Sequence, residues 1–145
     1  MGNYCYNYPR PSVTVDIILL ADMPNDQKIL LIKRKNDPFK GMWALPGGFI
    51  DENENITDAA YRELNEETGI ENVTLKQFKA FGKPGRDPRG HTISIVFMTS
   101  LPATVQTFAG DDASNTNWFS VKNLPLLAFD HKEIIENCLF YYKEI

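Results

Sequence analysis

The segment of residues 48–70, with the sequence GFIDENENITDAAYRELNEETGI, constrains this chain more than any other part of it. Nine positions carry a specified residue or residue class at fixed spacing: Gly48, Glu54, Arg62, Glu63, Leu64, Glu66, Glu67, Gly69 and Ile70. Ordinary residue usage would produce this coincidence with a probability on the order of 10⁻¹⁰ to 10⁻⁹ per starting point. Chance is therefore a poor explanation of the segment.

Local signals in this segment predict a helix over about residues 58–68. Ile56 and Thr57 have the character of a hydrophobic residue followed by an N-cap, and Tyr61 stands where it would complete a hydrophobic staple. Gly69 follows at the position where a helix often ends in a left-handed residue.

The predicted helix carries three glutamates that can meet on one side. Glu66 and Glu67 follow Glu63 by three and four positions. Glu63 and Glu67 would repel each other by roughly 0.2–0.5 kcal/mol on an isolated helix. Arg62 can pair with Glu66, but one guanidinium cannot neutralise so acidic a segment. Because Mg²⁺ takes one or two carboxylates together with phosphates and waters, the glutamates are candidate metal ligands.

A solvated acidic helix face is the alternative interpretation of this glutamate-rich stretch. The preceding residues 45–49, LPGGF, favour the metal site. Paired glycines allow a tight approach of the backbone, with a carbonyl aimed at an ion.

Residues 48–70 match the signature of the Nudix hydrolases at every specified position, so the chain resembles this family of enzymes, which cleave nucleoside diphosphates linked to another group. The resemblance implies a Mg²⁺ or Mn²⁺ site with four ligands: the Gly48 carbonyl and the carboxylates of Glu63, Glu66 and Glu67. It also implies that Arg62 and Glu54 orient the glutamates.

Length and composition indicate one soluble globular domain over residues 1–145, with residues 1–9 as a short N-terminal arm. The net charge of −4 argues against a nucleic-acid partner, which would require a basic surface. It fits a small anionic substrate, a nucleoside diphosphate, bridged by metal. The sequence leaves the oligomeric state open, and a homodimer is one of the states it allows.

Two cysteines, Cys5 and Cys138, are far apart and lack the spacing of a zinc site or a disulfide framework. We expect free thiols in a reducing compartment. No apolar run approaches eighteen residues and no signal-peptide core is present, so we expect a cytoplasmic protein without a membrane partner.

Hydrophobic patterning predicts strands at residues 12–21, 28–34, 74–81 and 92–99 and a second helix over 131–142. Turn chemistry at residues 23–26 predicts that a hairpin joins the first two strands. Strands on either side of a helix, followed by a terminal helix, predict an α/β layered domain with a mixed sheet. The family resemblance, which extends from about Arg10 onward, implies an α/β/α sandwich with a mixed central sheet.

Residues 40–49 (KGMWALPGGF) and 86–92 (RDPRGHT) resemble the ADP-ribose pyrophosphatase branch of the family. Arg86 and Arg89 stand in a Gly- and Pro-rich loop, and guanidiniums suit bidentate recognition of phosphate. The alternative is that Arg86 pairs with Asp87 in a surface turn.

Three further sets of residues are candidates for the site. Arg34 ends the second predicted strand, where related enzymes place a phosphate-binding arginine; a solvated strand end is the alternative. Asp111 and Asp112 lie in a predicted loop and could supply a general base or serve as turn residues. One of the aromatic residues near the glycine loop could stack on adenine: Phe39, Trp43 or Phe49.

These residues predict metal-assisted hydrolysis of a pyrophosphate, with Mg²⁺ clamping the diphosphate and Glu66 or Asp112 as the base. ADP-ribose would give AMP and ribose 5-phosphate.

A house-cleaning pyrophosphohydrolase of (d)NTPs is one alternative function. A non-catalytic Nudix-like sensing domain of a regulator is another, but the sequence after Tyr142 leaves no room for the expected winged helix. An NADH pyrophosphatase would carry a cysteine-rich zinc segment, which this sequence lacks.

Overall fold

The computed structural model describes residues 3–110 and 112–143, and this part of the chain contains seven strands and two helices. The strands are β1 (Ser12–Met23), β2 (Asp26–Arg34), β3 (Trp43–Ala44), β4 (Gly47–Phe49), β5 (Lys76–Phe81), β6 (Thr92–Leu101) and β7 (Ala113–Ser120). The helices are α1 (Ile56–Thr68) and α2 (His131–Lys143). Residues 3–11 form neither helix nor strand.

One mixed sheet organises the domain, with the strand order β3-β2-β1-β6-β5. Strand β1 pairs in parallel with β6 and antiparallel with β2 and β4, while β7 pairs antiparallel with β2. The predicted hairpin is confirmed, because Met23 of β1 stands opposite Asp26 of β2. Asn25 in the turn has a φ of 64°, which asparagine tolerates better than most residues.

Strand β1 is apolar on both faces because each face packs against a different helix. Its odd-numbered residues contact α1, in a cluster that includes Val15, Ile17, Leu19, Ala59, Ala60 and Leu64. On the other face, Ile18 and Leu20 pack in a cluster with Ile134, Ile135 and Cys138 of α2. The predicted α/β/α sandwich with a mixed central sheet is therefore confirmed.

Helix α1 begins earlier than predicted. Its N-cap is Asn55, whose side chain accepts a hydrogen bond of 3.0 Å from the backbone N–H of Thr57. Ile56 therefore lies inside the helix rather than before it, so the assignment of Thr57 as N-cap and of a staple starting at Ile56 is wrong. The predicted end is confirmed, because Gly69 caps the helix with a φ of 75°.

Strands β3, β4 and β7 were not predicted from the sequence. Strand β7 has the polar sequence ASNTNWFS, which shows no alternation of apolar residues, and it exists through its pairing with β2. Both cysteines are free thiols, with Cys5 exposed and Cys138 of α2 buried in the core. In the described residues, neither helix has the length and apolar character that a bilayer crossing requires.

Candidate active site

A cavity of about 350 Å³ brings together residues that lie far apart in the sequence. Its lining comes from strands β1, β2 and β4, helix α1, the start of α2 and the loops before β6 and β7. Eight residues were predicted as metal ligands, catalytic residues or phosphate-binding arginines, and seven of them line the cavity: Arg34, Gly48, Glu63, Glu67, Arg86, Arg89 and Asp112. Glu66 is the eighth, and it does not line the cavity.

Glu67 lies deep in the cavity wall, with 4% of the residue exposed. Its Oε1 accepts a hydrogen bond of 2.7 Å from the backbone N–H of Gly47. Burial raises the pKa of Glu67 to about 8, and the nearby Glu63 and Asp16 carboxylates add to the shift. Burial also raises the pKa of Glu63. The cavity therefore holds two acids whose ionisation calls for compensating positive charge.

Arg62 organises the carboxylates on the outer side of α1. Its Nη1 donates to Oε1 of Glu63 at 2.9 Å and to Oε2 of Glu66 at 3.1 Å. Its Nε and Nη2 bind both oxygens of Glu54, at 2.7 and 2.9 Å, and these hydrogen bonds lower the pKa of Glu54 to about 2. The predicted pairing of Arg62 with Glu66 is thus present. Glu66 does not line the cavity, so the structure brings together two of the three glutamates there.

Gly48 of β4 lies against the carboxylate of Glu63. A Cβ atom placed on Gly48 would stand 2.5 Å from Oε1 of Glu63. In the described part of the chain, positive φ angles occur at nine positions, and Gly48 is not one of them. A side chain on Gly48 would therefore displace the Glu63 carboxylate, whereas the backbone dihedral itself does not call for glycine.

Across residues 3–110 and 112–143, no three His, Cys, Asp or Glu side chains are already arranged to hold a metal ion. The donors nevertheless fit one. Glu67 is buried and Glu63 is partly buried beside the Gly48 backbone, and Mg²⁺ is bound by one or two carboxylates while substrate phosphates and waters complete its coordination. A divalent cation would supply positive charge to Glu67 and would add to the charge that Arg62 already provides to Glu63.

The three predicted arginines have different partners. Arg86 donates from Nε and Nη2 to both carboxylate oxygens of Asp130, at 2.9 and 2.6 Å, and 5% of its side chain is exposed. Arg89 donates to both oxygens of Asp87, at 3.1 and 2.9 Å. The pairing of Arg86 with Asp87 in a surface turn, considered above as the alternative, is therefore wrong. Arg34 donates from Nε to the Pro38 carbonyl at 2.7 Å.

Asp112 is anchored at the end of β2. Its carbonyl accepts a hydrogen bond of 3.1 Å from the Lys35 N–H, and its Oδ1 accepts one of 3.3 Å from the side-chain amide of Asn36. These contacts place its carboxylate in the cavity lining. Asp111, the other candidate base, lies outside the described residues.

Among the aromatic candidates for stacking on adenine, Phe49 lines the cavity and is 40% exposed. Trp43 packs on Phe119, with ring centroids 4.8 Å apart, and Phe39 packs on Phe129 at the same distance. Phe129 also lines the cavity, although the sequence did not single it out.

Asp16 and His131 are two further cavity residues that the sequence interpretation missed. Asp16 accepts a hydrogen bond from the Ser94 hydroxyl, and burial raises its pKa to about 7. His131 accepts one on Nδ1 from the Leu45 N–H at 3.0 Å, and burial lowers its pKa to about 3. The neutral imidazole therefore carries its proton on Nε2, and its 3.7 Å approach to Asp16 is not an ion pair. Asp16 could have been identified from the sequence, because it is a single acidic residue within an apolar predicted strand.

Residues 10–138 match the family model of the NUDIX domain, which covers most of the chain. The chain belongs to the Nudix family. The prediction of a Nudix pyrophosphohydrolase that resembles the ADP-ribose pyrophosphatase branch is confirmed by this match and by the relatives.

Three relatives illustrate where this Nudix chain lies in the family. An ADP-ribose pyrophosphatase of Methanocaldococcus jannaschii is 48% identical over 90% of this chain and 74% of its own length. The ADPR responsive transcriptional repressor NtrR of Acinetobacter baylyi is 34% identical over 90% of this chain, which spans 54% of that protein. The NUDIX domain of Shewanella oneidensis NrtR, solved in complex with ADP ribose, has a TM-score of 0.88 and 29% identity over 97% of this chain and 94% of that one.

The buried acids of this Nudix chain predict a pH-dependent stability. The folded-state pKa values of Asp16, about 7, and Glu67, about 8, lie above the ordinary values of 3.8 and 4.5. The folded state therefore binds more protons, and the free energy of unfolding should fall as the pH rises through this range. His131, whose folded pKa is lowered, has the opposite effect, but only below its ordinary value of 6.5.

We therefore expect the melting temperature of the metal-free protein to decrease from pH 6.5 to pH 8. Thermal melting in EDTA at closely spaced pH values measures this. Glu67→Gln, which removes one titrating acid, should give a shallower slope than the wild type. A melting temperature that stays constant or rises over this interval would contradict the burial argument.

Arg86→Ala should destabilise the Nudix domain by about 3 kcal/mol, because it leaves the partly buried Asp130 carboxylate without its partner. Denaturant unfolding measures the change. Lys83→Ala removes an exposed cation from the same loop and is the matched control, with an expected change within about 0.5 kcal/mol. Equal stability of the two variants would show that the Arg86 pair is not structural.

Proposed function

We propose that this protein hydrolyses the diphosphate of ADP-ribose in a reaction that depends on Mg²⁺ or Mn²⁺ and gives AMP and ribose 5-phosphate. One observation carries the proposal: a single cavity has the acids Glu63 and Glu67 beside Gly48 and also has the cations Arg34 and Arg89. Such a cavity offers donors for a metal ion and guanidiniums for phosphate oxygens. The ADP-ribose pyrophosphatase of M. jannaschii, at 48% identity, supports this substrate.

In this proposal the metal ligands are the Gly48 carbonyl and the carboxylates of Glu63 and Glu67, which line the cavity, together with the carboxylate of Glu66, which lies outside the lining. A bound ion would neutralise the diphosphate and orient water for attack on phosphorus. Arg62, which shares Nη1 between Glu63 and Glu66, holds these two carboxylates side by side.

The other polar residues bind the substrate or move the proton. Arg34 and Arg89 bind the phosphates, because both line the cavity. Arg34 has a neutral carbonyl as its partner, and Arg89, although it pairs with Asp87, keeps 39% of its side chain exposed. Arg86 adds its charge to the same wall while it binds Asp130. Glu66 or Asp112 takes the proton of the attacking water.

A substrate panel tests the proposal. Initial rates on ADP-ribose, NADH and 8-oxo-dGTP are compared with Mg²⁺, with Mn²⁺ and with EDTA, and the products are identified by mass spectrometry. We expect the highest kcat/KM on ADP-ribose, AMP and ribose 5-phosphate as products, and no turnover in EDTA. A clear preference for the triphosphate would overturn the ADP-ribose assignment and favour a house-cleaning role, while membership of the family would stand.

Sensing of ADP-ribose without turnover is the second candidate function. It is favoured by the S. oneidensis NrtR domain, which has the same fold and was solved in complex with ADP ribose. The intact carboxylates Glu63 and Glu67 in the cavity favour catalysis instead. If calorimetry shows that the protein binds ADP-ribose, and no hydrolysis is seen with Mg²⁺ or with Mn²⁺, the protein is a sensor rather than an enzyme.

A further inference from the structure

Phe129 contacts both arginines that we assign to phosphate binding. The guanidinium carbon of Arg34 lies over its ring at 4.9 Å from the centroid, and that of Arg89 lies at 5.3 Å. Arg89 also lies over the ring of Phe49, at 4.7 Å. The face of an aromatic ring attracts cations, so one phenylalanine interacts favourably with two like charges. Phe39 packs its ring against Phe129 in an edge contact and fixes the orientation of that ring.

Arg34 and Arg89 carry like charges and therefore repel each other. Burial lowers the pKa of Arg34, and the charge of Arg89 is the next largest cause of the shift. Arg89 is held by the carboxylate of Asp87, whereas Arg34 has a neutral partner, the Pro38 carbonyl. The carboxylates of Glu67, Asp87 and Asp112 oppose the effect of Arg89 on this pKa, and the Phe129 ring adds a direct contact that holds Arg34 near the second cation.

The backbone of Phe129 is fixed from both sides. Its φ is 52°, a left-handed conformation that is uncommon for a large side chain. On one side, the Ala128 N–H donates to the Trp43 carbonyl at 2.8 Å. On the other, Asp130 accepts both hydrogen bonds from Arg86. These bonds hold the unusual backbone conformation, which presents the ring to the cavity.

We propose that Phe129 is a positioning residue that holds the guanidiniums of Arg34 and Arg89 at the spacing with which the cavity binds a diphosphate. The inference rests on the proposed function, since it assigns the diphosphate as the bound group. A diphosphate carries negative charge on two phosphorus centres, and two cations held in place by one ring match that distribution. Phe129 acts through the arginines and does not take part in the chemistry.

Phe129→Leu is the first test, because leucine keeps the Cβ atom and most of the volume but lacks the ring face. We expect the KM for ADP-ribose to rise about tenfold while kcat changes by less than about twofold, as for a loss of binding that is equal in the ground state and the transition state. Phe129→Tyr, which retains the ring, should restore the KM. An unchanged KM in Phe129→Leu, or a loss confined to kcat, would overturn the inference.

A double-mutant cycle separates action through the arginines from a merely structural role. In the background of Arg34→Met and Arg89→Met, Phe129→Leu should change the KM little further, because the groups that it positions are gone. The same tenfold loss in both backgrounds would overturn the inference. Thermal melting accompanies each variant, and if Phe129→Leu is unfolded at the assay temperature, Phe129→Met replaces it in every measurement.

Calorimetric titration with inorganic pyrophosphate distinguishes failure of this inference from failure of the proposed function. We expect weaker pyrophosphate binding by Phe129→Leu than by the wild type. If the wild type does not hydrolyse ADP-ribose but shows this difference, the proposed function fails and the role of Phe129 stands. Equal affinities, or no binding by the wild type, overturn the role of Phe129 even if ADP-ribose is hydrolysed.

Discussion

Glu67→Gln should lower kcat for ADP-ribose by about a hundredfold or more without disturbing the fold. Glutamine keeps the size of the side chain and the oxygen that accepts the Gly47 N–H, which lies 2.7 Å from Oε1. It removes the negative charge that the proposed metal site requires. This substitution therefore distinguishes a structural role of Glu67, which glutamine would preserve, from a role in metal binding, which glutamine would remove.

Steady-state kinetics with Mg²⁺ and thermal melting measure the two sides of this prediction. At pH 8 the variant should melt at or above the wild-type temperature, because a buried acid with a pKa of about 8 no longer titrates. Glu71→Gln changes an exposed glutamate shortly after α1 and is the matched control. Wild-type activity in Glu67→Gln would remove Glu67 from the metal site.

Gly48→Val is expected to abolish the response of the enzyme to Mg²⁺, with a loss of kcat of about a hundredfold or more. The cause is steric, because the new Cβ would lie 2.5 Å from Oε1 of Glu63 and would displace this carboxylate. Gly48→Ala introduces the same atom and should show most of the effect.

A Mg²⁺ titration of activity, supported by thermal melting, measures the loss. Gly85→Ala is the control for backbone strain, since Gly85 has a φ of 88° and no atom within 4 Å of an added Cβ. It should reduce stability while leaving the Mg²⁺ titration unchanged. An unaltered titration in Gly48→Val would show that the position of Glu63 does not matter for the metal.

Local sequence signals predicted the elements that local interactions specify. The hairpin of β1 and β2 follows from two apolar segments separated by turn residues, and the end of α1 follows from the left-handed Gly69. The start of α1 was misplaced because Asn55 and Thr57 are both good N-caps, so propensity could not choose between them. Strand β7 was missed because its polar sequence pairs with β2 without an apolar pattern of its own.

Some features of the site could also be predicted from short spacings in the sequence, and others could not. Spacing on one helix was sufficient to bring Glu63 and Glu67 to one cavity, since residues four apart share a helix face. The pairing of Glu66 with Arg62 could also be predicted from the sequence, because Arg62 lies one helical turn before Glu66. These short spacings could not show that Glu63 and Glu67 line the cavity while Glu66 lies outside its lining.

Only the tertiary structure decided the rest of the cavity. Arg86 pairs with Asp130, 44 positions away, rather than with its neighbour Asp87. Asp16 and His131 come together because β1 and the start of α2 meet at the same cavity. The sequence by itself determined the family, the signature helix and the identity of the acids, since these depend on residue types at short spacing. The partners of the arginines and the ring that holds two of them depend on contacts between distant segments, which form only when the sheet and both helices pack together.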